Sequence, residues 1–414
     1  MSNENPIHTE RPAACRTVIV SGSFQTNFSY QENIWAEYLA TMGDHVTVVT
    51  AGRADEGPKR MKGFQVKWLK TRGLFSRNLY FERRVAHTVE SLRPDRILWF
   101  GPPQLFGATL SRYAPLSRVP MAVFMGQNRQ MHPFDWKDTS LSVGDRLTAL
   151  AYQWVRMPTV TKACLRADLV VATTQETPSI LAQFMTDELW VRIEPKVWCC
   201  PLGYDEQTFT FDADARLRRR RELGIETQAP VALMTSRFVA EKWPAIHFTF
   251  SALSEALDLH QDLHVMVVGF GDDEGSRRLR KTCAEHPHAH RIHCCDFAPR
   301  HQLADLFCAA DFAVFARPSI SCQEALGTGL RCVFSDDGTM NWLLERPDDG
   351  EMFRVGSGAD LVRVIDGIVP AIRAMHPSLD MRQARAHRAR RLGYGQLIQT
   401  TLRRLDEAES GAST

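Results

Sequence analysis

Short apolar runs alternate with helix-forming segments along most of the chain, and this alternation constrains the fold more than any other feature. Runs such as Arg16–Ser21, Met121–Met125 and Val231–Thr235 are apolar and short, which is typical of buried strands. Helical patterns separate the runs, for example over residues 30–42, where Ile34, Tyr38 and Leu39 would share one face. Such alternation predicts parallel sheets that are covered by helices on both faces.

Size and composition narrow the class of protein. A chain of 414 residues, 44% of them hydrophobic, is long enough for two or three domains with substantial cores. The 50 basic and 48 acidic residues leave a net charge of +2, which argues against a nucleic-acid-binding protein. The ten cysteines include no pair with CxxC spacing, so we expect reduced, buried thiols and no metal site.

The sequence offers no targeting or membrane-spanning segment. Residues 1–15 are polar, and no apolar run approaches the length of about 20 residues that crosses a bilayer. We therefore expect a soluble, cytoplasmic protein. The basic and aromatic segment at residues 72–84 raises the further hypothesis of peripheral contact with the inner face of a membrane. The alternative is a helix that buries its aromatic side chains in the first domain.

The regular alternation breaks near residues 199–210, where Pro201 and Gly203 interrupt it, and we place the domain boundary there. Five arginines then occur between Arg216 and Arg221, which we interpret as a solvated helix face because the chain is nearly neutral. The nearby triplet Asp212-Ala-Asp214 does not follow a strand. We therefore predict that it is solvated and that the mechanism does not depend on a metal.

The segment from 312 to 338 predicts an anion site. A buried strand at Phe312–Phe315 is followed by Pro318 and by a helix that Ser319 or Ser321 can cap, and free N–H groups at such a helix start bind anions. Glu324 is expected in the first turn, where its carboxylate could accept hydrogen bonds from sugar hydroxyls. The alternative is an ordinary crossover in which Glu324 only complements the helix dipole.

A second candidate site lies after the strand Val231–Thr235. Arg237 and Lys242 flank the loop that leads to Pro244, which suits the first turn of a helix. Two cations beside a helix N-terminus predict a cradle for a diphosphate. The alternative is two exposed charges in a loop.

Two polar loops in the first half would also lie at carboxyl ends of strands. One spans residues 22–27 and contains Asn27, and the other spans 126–132 and ends at His132. Open α/β sheets bind ligands at this edge, although the first loop lacks the GxGxxG pattern of dinucleotide sites. A plain connecting loop and a solvated histidine are the alternatives.

Taken in order, these landmarks resemble the GT-B-fold glycosyltransferases, specifically the large retaining family-four group. The resemblance covers roughly residues 16–405, and the early element Tyr30-Gln31-Glu32-Asn33 is similar to an exopolysaccharide-type subgroup. The signatures of the group correspond here to Pro201-Leu-Gly203-Tyr-Asp205 with Phe209, Ser236-Arg237…Glu241-Lys242-Trp243, Val268-Gly269-Phe270-Gly271 and Glu324-Ala325…Gly329-Leu330-Arg331-Cys332-Val333.

The resemblance implies an architecture and a reaction. It implies an irregular N-terminus at 1–15, an acceptor domain at 16–203, a nucleotide-sugar domain at 204–392, and a C-terminal helix and tail at 393–414 that return to the first domain. Both domains would be Rossmann-like, with parallel sheets facing a cleft. The enzyme would move a sugar, with retention, from a nucleoside-diphosphate donor to a glycan, lipid-linked or small-molecule acceptor, in polysaccharide biosynthesis and without a cofactor.

The resemblance also implies roles for individual residues. Arg237 and Lys242 would hold the diphosphate and stabilise the leaving group, and Glu324 would bind the ribose hydroxyls. The other implied donor contacts are Gly269, the backbone of Ser319, Ile320 and Ser321, and the base-binding segment at Asp296-Phe297; Asn27 and His132 would lie on the acceptor side.

Three positions depart from the pattern of the group. Ala316 stands where a second glutamate is usual, Trp243 replaces a glycine, and Gln25-Thr26-Asn27 replaces paired glycines. Ala316 supports an alternative function, a catalytically silent protein that binds a nucleotide sugar or scaffolds other enzymes. A nucleotide-sugar epimerase of the same fold is a second alternative.

Overall fold

The computed structural model describes residues 14–24, 31–52, 60–73, 80–127, 137, 142–239, 242–375 and 379–411. The chain divides into two compact units. The first contains residues up to Cys200, apart from 174–176, together with those from Thr400 onward. The second contains residues 174–176 and Pro201–Gln399.

The first unit is built on an eight-stranded sheet with the order β10-β9-β8-β7-β1-β2-β4-β3, and all of its described neighbours are parallel except β3 and β4. The strands of the first unit are β1 Arg16–Ser21, β2 His45–Ala51, β3 Arg60–Met61, β4 Phe64–Leu69, β5 Arg72–Gly73, β6 Tyr80–Phe81, β7 Arg96–Phe100, β8 Met121–Met125, β9 Leu169–Ala172 and β10 Val197–Cys199. Of these, β5 and β6 form a separate two-stranded sheet. Its helices are α1 Gln31–Thr41, α2 Val85–Ser91, α3 Val143–Ala151, α4 Met157–Arg166, α5 Glu176–Gln183 and α6 Asp187–Ile193.

The second unit carries a six-stranded sheet in which every neighbouring pair is parallel, with the order β13-β12-β11-β14-β15-β16. Its strands are β11 Val231–Thr235, β12 His264–Phe270, β13 Ile292–Asp296, β14 Phe312–Phe315, β15 Arg331–Ser335 and β16 Gly350–Phe353. Its helices are α7 Ala213–Glu222, α8 Trp243–Leu259, α9 Glu274–Ala284, α10 Arg300–Ala309, α11 Ile320–Gly327, α12 Gly358–Met375, α13 Leu379–Ala389 and the start of α14 Tyr394–Gly411.

Both sheets have buried apolar side chains on each face, because alternate residues of a strand point to opposite sides. In the second unit, Ala232 and Met234 contribute to one core cluster, whereas Val231 and Leu233 contribute to the other. The predicted architecture of parallel sheets covered by helices is confirmed. The last helix buries Ile398, Leu402 and Leu405 on one side, as its spacing predicts.

The sequence of residues 78–92 has a helical pattern, with Leu79, Phe81 and Val85 among basic residues, but the helix in the structure is shorter. The helix α2 covers only Val85–Ser91, because Tyr80–Phe81 pairs with Arg72–Gly73 as a small antiparallel ribbon. The extended backbone at β6 therefore replaces the first part of the expected helix.

The arginine run does not form a fully solvated face. Arg216 and Arg220 are buried, and each donates a 2.6 Å hydrogen bond to a different carboxylate oxygen of Asp311. Arg220 also donates to four backbone carbonyls, so its burial is compensated. Asp212 accepts hydrogen bonds from the first N–H groups of α7 and caps that helix.

All ten cysteines are free thiols. Within the described part of the chain, no helix combines the length and apolar character that a bilayer crossing requires.

Candidate functional site

The candidate site lies in the second unit, where the order of the strands changes direction. From β11 the chain continues through β12 to β13 on one side of the sheet, and β14, β15 and β16 extend on the other. The loops that follow β11 and β14 therefore diverge at the carboxyl edge, and open α/β sheets bind ligands in the crevice that this creates. These two loops and the helix starts that follow them contain Arg237, Lys242 and residues 319–324, whereas the other predicted donor contacts, Gly269 and Phe297, lie in β12 and after β13.

The loop after β11 is held close to the neighbouring backbone by two glycines. Gly269 has φ +120, and a Cβ there would lie 2.0 Å from the carbonyl oxygen of Ser236. A Cβ at Gly275 would lie 1.9 Å from the carbonyl oxygen of Phe238. Because only glycine permits these approaches, the loop has a defined path.

Arg237 lies on this loop and is exposed. Its guanidinium makes no hydrogen bond or ion pair with any residue that the structure describes. Its five N–H donors are therefore available for a planar anion such as a phosphate.

Lys242 directly precedes α8 and is half-buried. Its N–H donates to the carbonyl of Val239, and Pro244 occupies the first turn of α8, as predicted. Trp243, which stands where the resembling group has glycine, packs partly buried against the core, and the guanidinium of Arg278 lies 4.9 Å from its ring. The substitution thus places a packed aromatic ring at the start of the helix.

The loop after β14 leads into α11. Ser319 is the N-cap residue by its backbone, but its side chain makes no capping hydrogen bond, and its hydroxyl contacts the thiol of Cys322 instead. The N–H groups of Ile320 and Ser321 belong to the first turn, which has no intrahelical acceptors for them. The start of α11 therefore presents backbone donors at the carboxyl edge.

Glu324 lies in the second turn of α11 and not in the first, so the sequence prediction was wrong by one turn. The side chain is buried, with 7% exposure, and this desolvation raises the pKa of its carboxyl group to about 7. Arg300 and a hydrogen bond from Ser321 act in the opposite direction. A carboxyl group that is poised near neutrality is a common feature of functional sites.

Arg300 is a site residue that the sequence analysis missed. Its Nη2 lies 3.4 Å from Oδ2 of Asp205, and its guanidinium lies 5.6 Å from the ring of Phe209. Its Nε is buried and has no hydrogen-bond partner among the described residues. The signal was the signature Pro201-Leu-Gly203-Tyr-Asp205 with Phe209, because Asp205 and Phe209 both contact this one arginine.

The linker, residues 201–209, also contacts α11 directly. The N–H of Gly203 donates a 2.6 Å hydrogen bond to Oε1 of Gln323, the residue before Glu324. A Cβ at Gly327 would lie 2.2 Å from the ring of Tyr204. The linker therefore packs tightly on the helix that carries the candidate carboxylate.

Phe297 follows β13 and is 59% exposed, although its N–H donates to the carbonyl of Phe270. The preceding Asp296 forms an ion pair with Arg280, whose guanidinium lies 4.4 Å from the ring of Phe270. An exposed ring at the carboxyl edge offers a surface on which a planar base could stack.

Ala316 is partly buried and packs against the core of the second unit. The position therefore presents a methyl group, where the resembling group would place a carboxylate.

The predicted acceptor-side residues Asn27 and His132 lie outside the described residues. The described part of the same edge in the first unit contains a polar cluster. The hydroxyl of Ser21 donates a 2.7 Å hydrogen bond to Oε1 of Glu32, and the amide of Gln104 donates to the hydroxyl of Ser23. Burial raises the pKa of Glu32.

No protein-family model matches the chain, and no curated protein sequence matches it significantly. Solved structures do match over nearly the whole length. HepE from Anabaena, solved in complex with UDP, has a TM-score of 0.68 at 15% identity, covering 95% of this chain and 100% of that one. Sucrose-phosphate synthase from Thermosynechococcus elongatus has 0.67 at 14%, covering 96% and 100%. WaaG, a glycosyltransferase involved in lipopolysaccharide biosynthesis, has 0.58 at 16%, covering 93% and 98%.

These similarities identify the fold. The chain adopts the GT-B fold of these glycosyltransferases, with two parallel-sheet α/β domains. At 14 to 16% identity the similarity concerns the fold alone, so the chemistry is argued from the residues of the site.

Proposed function

We propose that the protein is a glycosyltransferase that moves a sugar from a nucleoside-diphosphate donor to an acceptor. The proposal rests on one observation. At the strand-order switch of the second unit, one loop carries an exposed arginine with no partner among the described residues, and the other starts a helix that carries a buried carboxyl group. An exposed cation and helix N–H groups suit a diphosphate, and a carboxylate suits vicinal hydroxyls.

In this proposal the protein acts mainly by stabilising the leaving group. The diphosphate gains negative charge as the bond from the sugar to the phosphate oxygen breaks, and Arg237 and Lys242 would bind that charge. The N–H groups of Ser319, Ile320 and Ser321 would add to this stabilisation. Glu324 would accept hydrogen bonds from the ribose hydroxyls, and Phe297 would stack on the base, with the backbone at Gly269 beside it.

UDP is the first donor nucleotide to test, because the structurally similar HepE was solved with UDP. Retention and membership of the family-four group follow from the sequence signatures, and independence from a metal follows from the position of the triplet Asp212-Ala-Asp214. All three are part of the proposal. So are a role in polysaccharide biosynthesis and, on the acceptor side, Asn27 and His132. Peripheral membrane contact through residues 72–84 also stays a proposal, and residues 74–79 of that segment lie outside the described residues.

The test is a thermal-shift screen of nucleoside diphosphates and their sugars, followed by product analysis. A ligand that binds only the folded protein raises its melting temperature. We expect UDP or another nucleoside diphosphate to stabilise the wild type and to stabilise the Arg237→Ala variant much less. Absence of any shift with all nucleoside diphosphates would contradict the proposal.

A silent nucleotide-sugar-binding protein is the second candidate function, and the methyl group at Ala316 favours it. Incubation of wild type and Lys242→Ala with UDP-glucose, other nucleotide sugars and candidate acceptors separates the two functions. Transfer by the wild type that is lost in the variant supports the enzyme, whereas binding without turnover in both supports the silent protein. Free sugar or an epimer, detected by NMR without any acceptor, would instead indicate an epimerase.

A further inference from the structure

The first unit has an apolar stripe on the surface of one long helical segment. The segment consists of α3, a π-helical turn at Tyr152–Arg156, and α4. Three of its large apolar side chains are strongly exposed: Val143 by 74%, Leu147 by 61% and Trp154 by 70%. The apolar stripe comprises Val143, Leu147, Ala151, Trp154, Val155 and Pro158, all exposed.

The spacing of the stripe shows that it is one continuous face. Val143, Leu147 and Ala151 follow one another at intervals of four residues. Trp154, inside the π-helical turn, follows Ala151 by three residues and precedes Pro158 by four. Residues three and four apart are neighbours on a helix surface. At 1.5 Å per residue, sixteen residues extend over about 24 Å. Monomeric soluble proteins seldom expose a contiguous apolar surface of this kind unless something binds it.

The opposite side of the same segment is fixed to the sheet. Tyr152 is buried, and its hydroxyl accepts a hydrogen bond from the side-chain amide of Gln127, just beyond the carboxyl end of β8. Beside it, Gly126 lets the ends of β8 and β9 approach closely, because a Cβ there would lie 2.3 Å from the hydroxyl of Thr173. The stripe is therefore held on a rigid support, beside the sheet edge at which α/β proteins bind their ligands.

The charges around the stripe determine which partner fits. Residues 142–166 carry four basic side chains and the single acid Asp145. Arg166 donates to the carbonyls of Leu116 and Val119, and Arg156 lies over the ring of the buried Tyr152, so the basic side chains nearest the stripe are Arg146 and Lys162. Asp145 lies in the first turn of α3 and accepts a 2.7 Å hydrogen bond from Ser142, so the helix dipole and this bond offset its charge. Arg146 follows Val143 by three residues and Lys162 follows Pro158 by four, so both lie next to the stripe.

We propose that this stripe docks the protein on an anionic lipid surface. Tryptophan and aliphatic side chains with basic neighbours are the composition of helices that lie in the membrane interface. A second copy of the chain fits less well, because a symmetric contact through this face would bring like charges together. The docked first unit would present its carboxyl edge to amphiphilic acceptors. This last step rests on the proposed function, whereas the docking itself does not.

The test is flotation of the full chain with vesicles of phosphatidylcholine and phosphatidylglycerol in equal parts, and with vesicles of phosphatidylcholine alone. We expect binding to the mixed vesicles that weakens as salt is raised. Trp154→Glu should reduce the partition coefficient at least about tenfold, because it removes the interfacial aromatic group and adds a negative charge. Val191→Glu is the matched control, since Val191 is a similarly exposed apolar residue on α6 of the same unit. It should leave the binding unchanged.

Wild type that stays unbound in the mixed vesicles, or equal loss in both variants, overturns the proposal. A concentration-dependent dimer in analytical ultracentrifugation that Trp154→Glu dissociates, without vesicle binding, assigns the stripe to self-association and also overturns it. The thermal shift of Trp154→Glu with UDP is measured in parallel and should equal that of the wild type. Failure of the shift in both proteins with every nucleoside diphosphate, while vesicle binding stays intact, would refute the proposed transferase and leave the docking standing.

Discussion

Replacing Glu324 by glutamine should make the folded protein more stable above neutral pH. Burial raises the pKa of this carboxyl group from 4.5 to about 7. Between these values the folded chain binds more protons than the unfolded chain, so stability falls as the pH rises through that window. At 1.36 kcal/mol per pKa unit, the cost of the ionised group at about pH 8 is on the order of 3 kcal/mol.

Glu324→Gln keeps the shape of the side chain and removes this cost. For a unit of about 200 residues the gain corresponds to roughly 6 to 12 °C in melting temperature. Thermal unfolding at about pH 5 and about pH 8 measures the difference, and we expect little change at the lower pH, where the folded-state carboxyl is protonated. A variant that is no more stable than the wild type at the higher pH would refute the reasoning.

The same titration predicts how the ligand binds. If ribose hydroxyls donate to the ionised carboxylate, only the protein with ionised Glu324 is competent to bind UDP. The fraction of this ionised form rises from about a tenth to about nine tenths between roughly pH 6 and pH 8. Calorimetric titration with UDP should therefore show about tenfold tighter binding at the higher pH. Ionisation of UDP itself affects its binding to wild type and to Glu324→Gln equally. The part of the pH dependence that comes from the carboxyl group of Glu324 must therefore be absent in the variant. Persistence of the full tenfold change in Glu324→Gln would exclude Glu324 as its source.

Three further substitutions test other parts of the structure. Arg237→Ala should lower donor turnover about a hundredfold, yet leave the melting temperature unchanged, since the guanidinium has no partner among the described residues; equal turnover would remove Arg237 from the site. Gly269→Ala should destabilise the second unit by on the order of 2 kcal/mol or more in a urea titration, because its Cβ would lie 2.0 Å from a carbonyl oxygen and its φ is +120; Gly224→Ala, with positive φ and open space, is the control for the backbone effect alone. Asp311→Ala should lower the free energy of unfolding by roughly 3 to 5 kcal/mol, because it leaves two buried arginines without their carboxylate. A variant as stable as the wild type would show that the backbone carbonyl acceptors alone compensate the buried arginines.

The alternation of strands and helices could be predicted from the sequence because each buried strand leaves a short apolar run. Met121–Met125, Val231–Thr235 and Phe312–Phe315 have the predicted bounds. These bounds also give the carboxyl ends of the strands, and therefore the loops with Arg237 and Lys242 that form the candidate site. The position of Glu324 was one turn off, because the first helical residue, Ile320, is set by the tertiary path after Pro318.

The buried partners of charged residues could not be predicted, because a charge pattern does not indicate which charges meet. The run at Arg216–Arg221 predicts a solvated helix face, because it contains five arginines and no acidic residue. Its partner Asp311 lies 95 residues away, at the amino end of β14. The sequence held one indication of a shared partner, since Arg216 and Arg220 are four residues apart and therefore lie on the same face of a helix. A face of α7 that meets a single carboxylate would look the same in sequence as a solvated one, so only the fold separates the two interpretations. The same reasoning applies to Arg300, which reaches Asp205 from α10. It explains why the candidate cations on loops were predicted and this arginine on a helix was not.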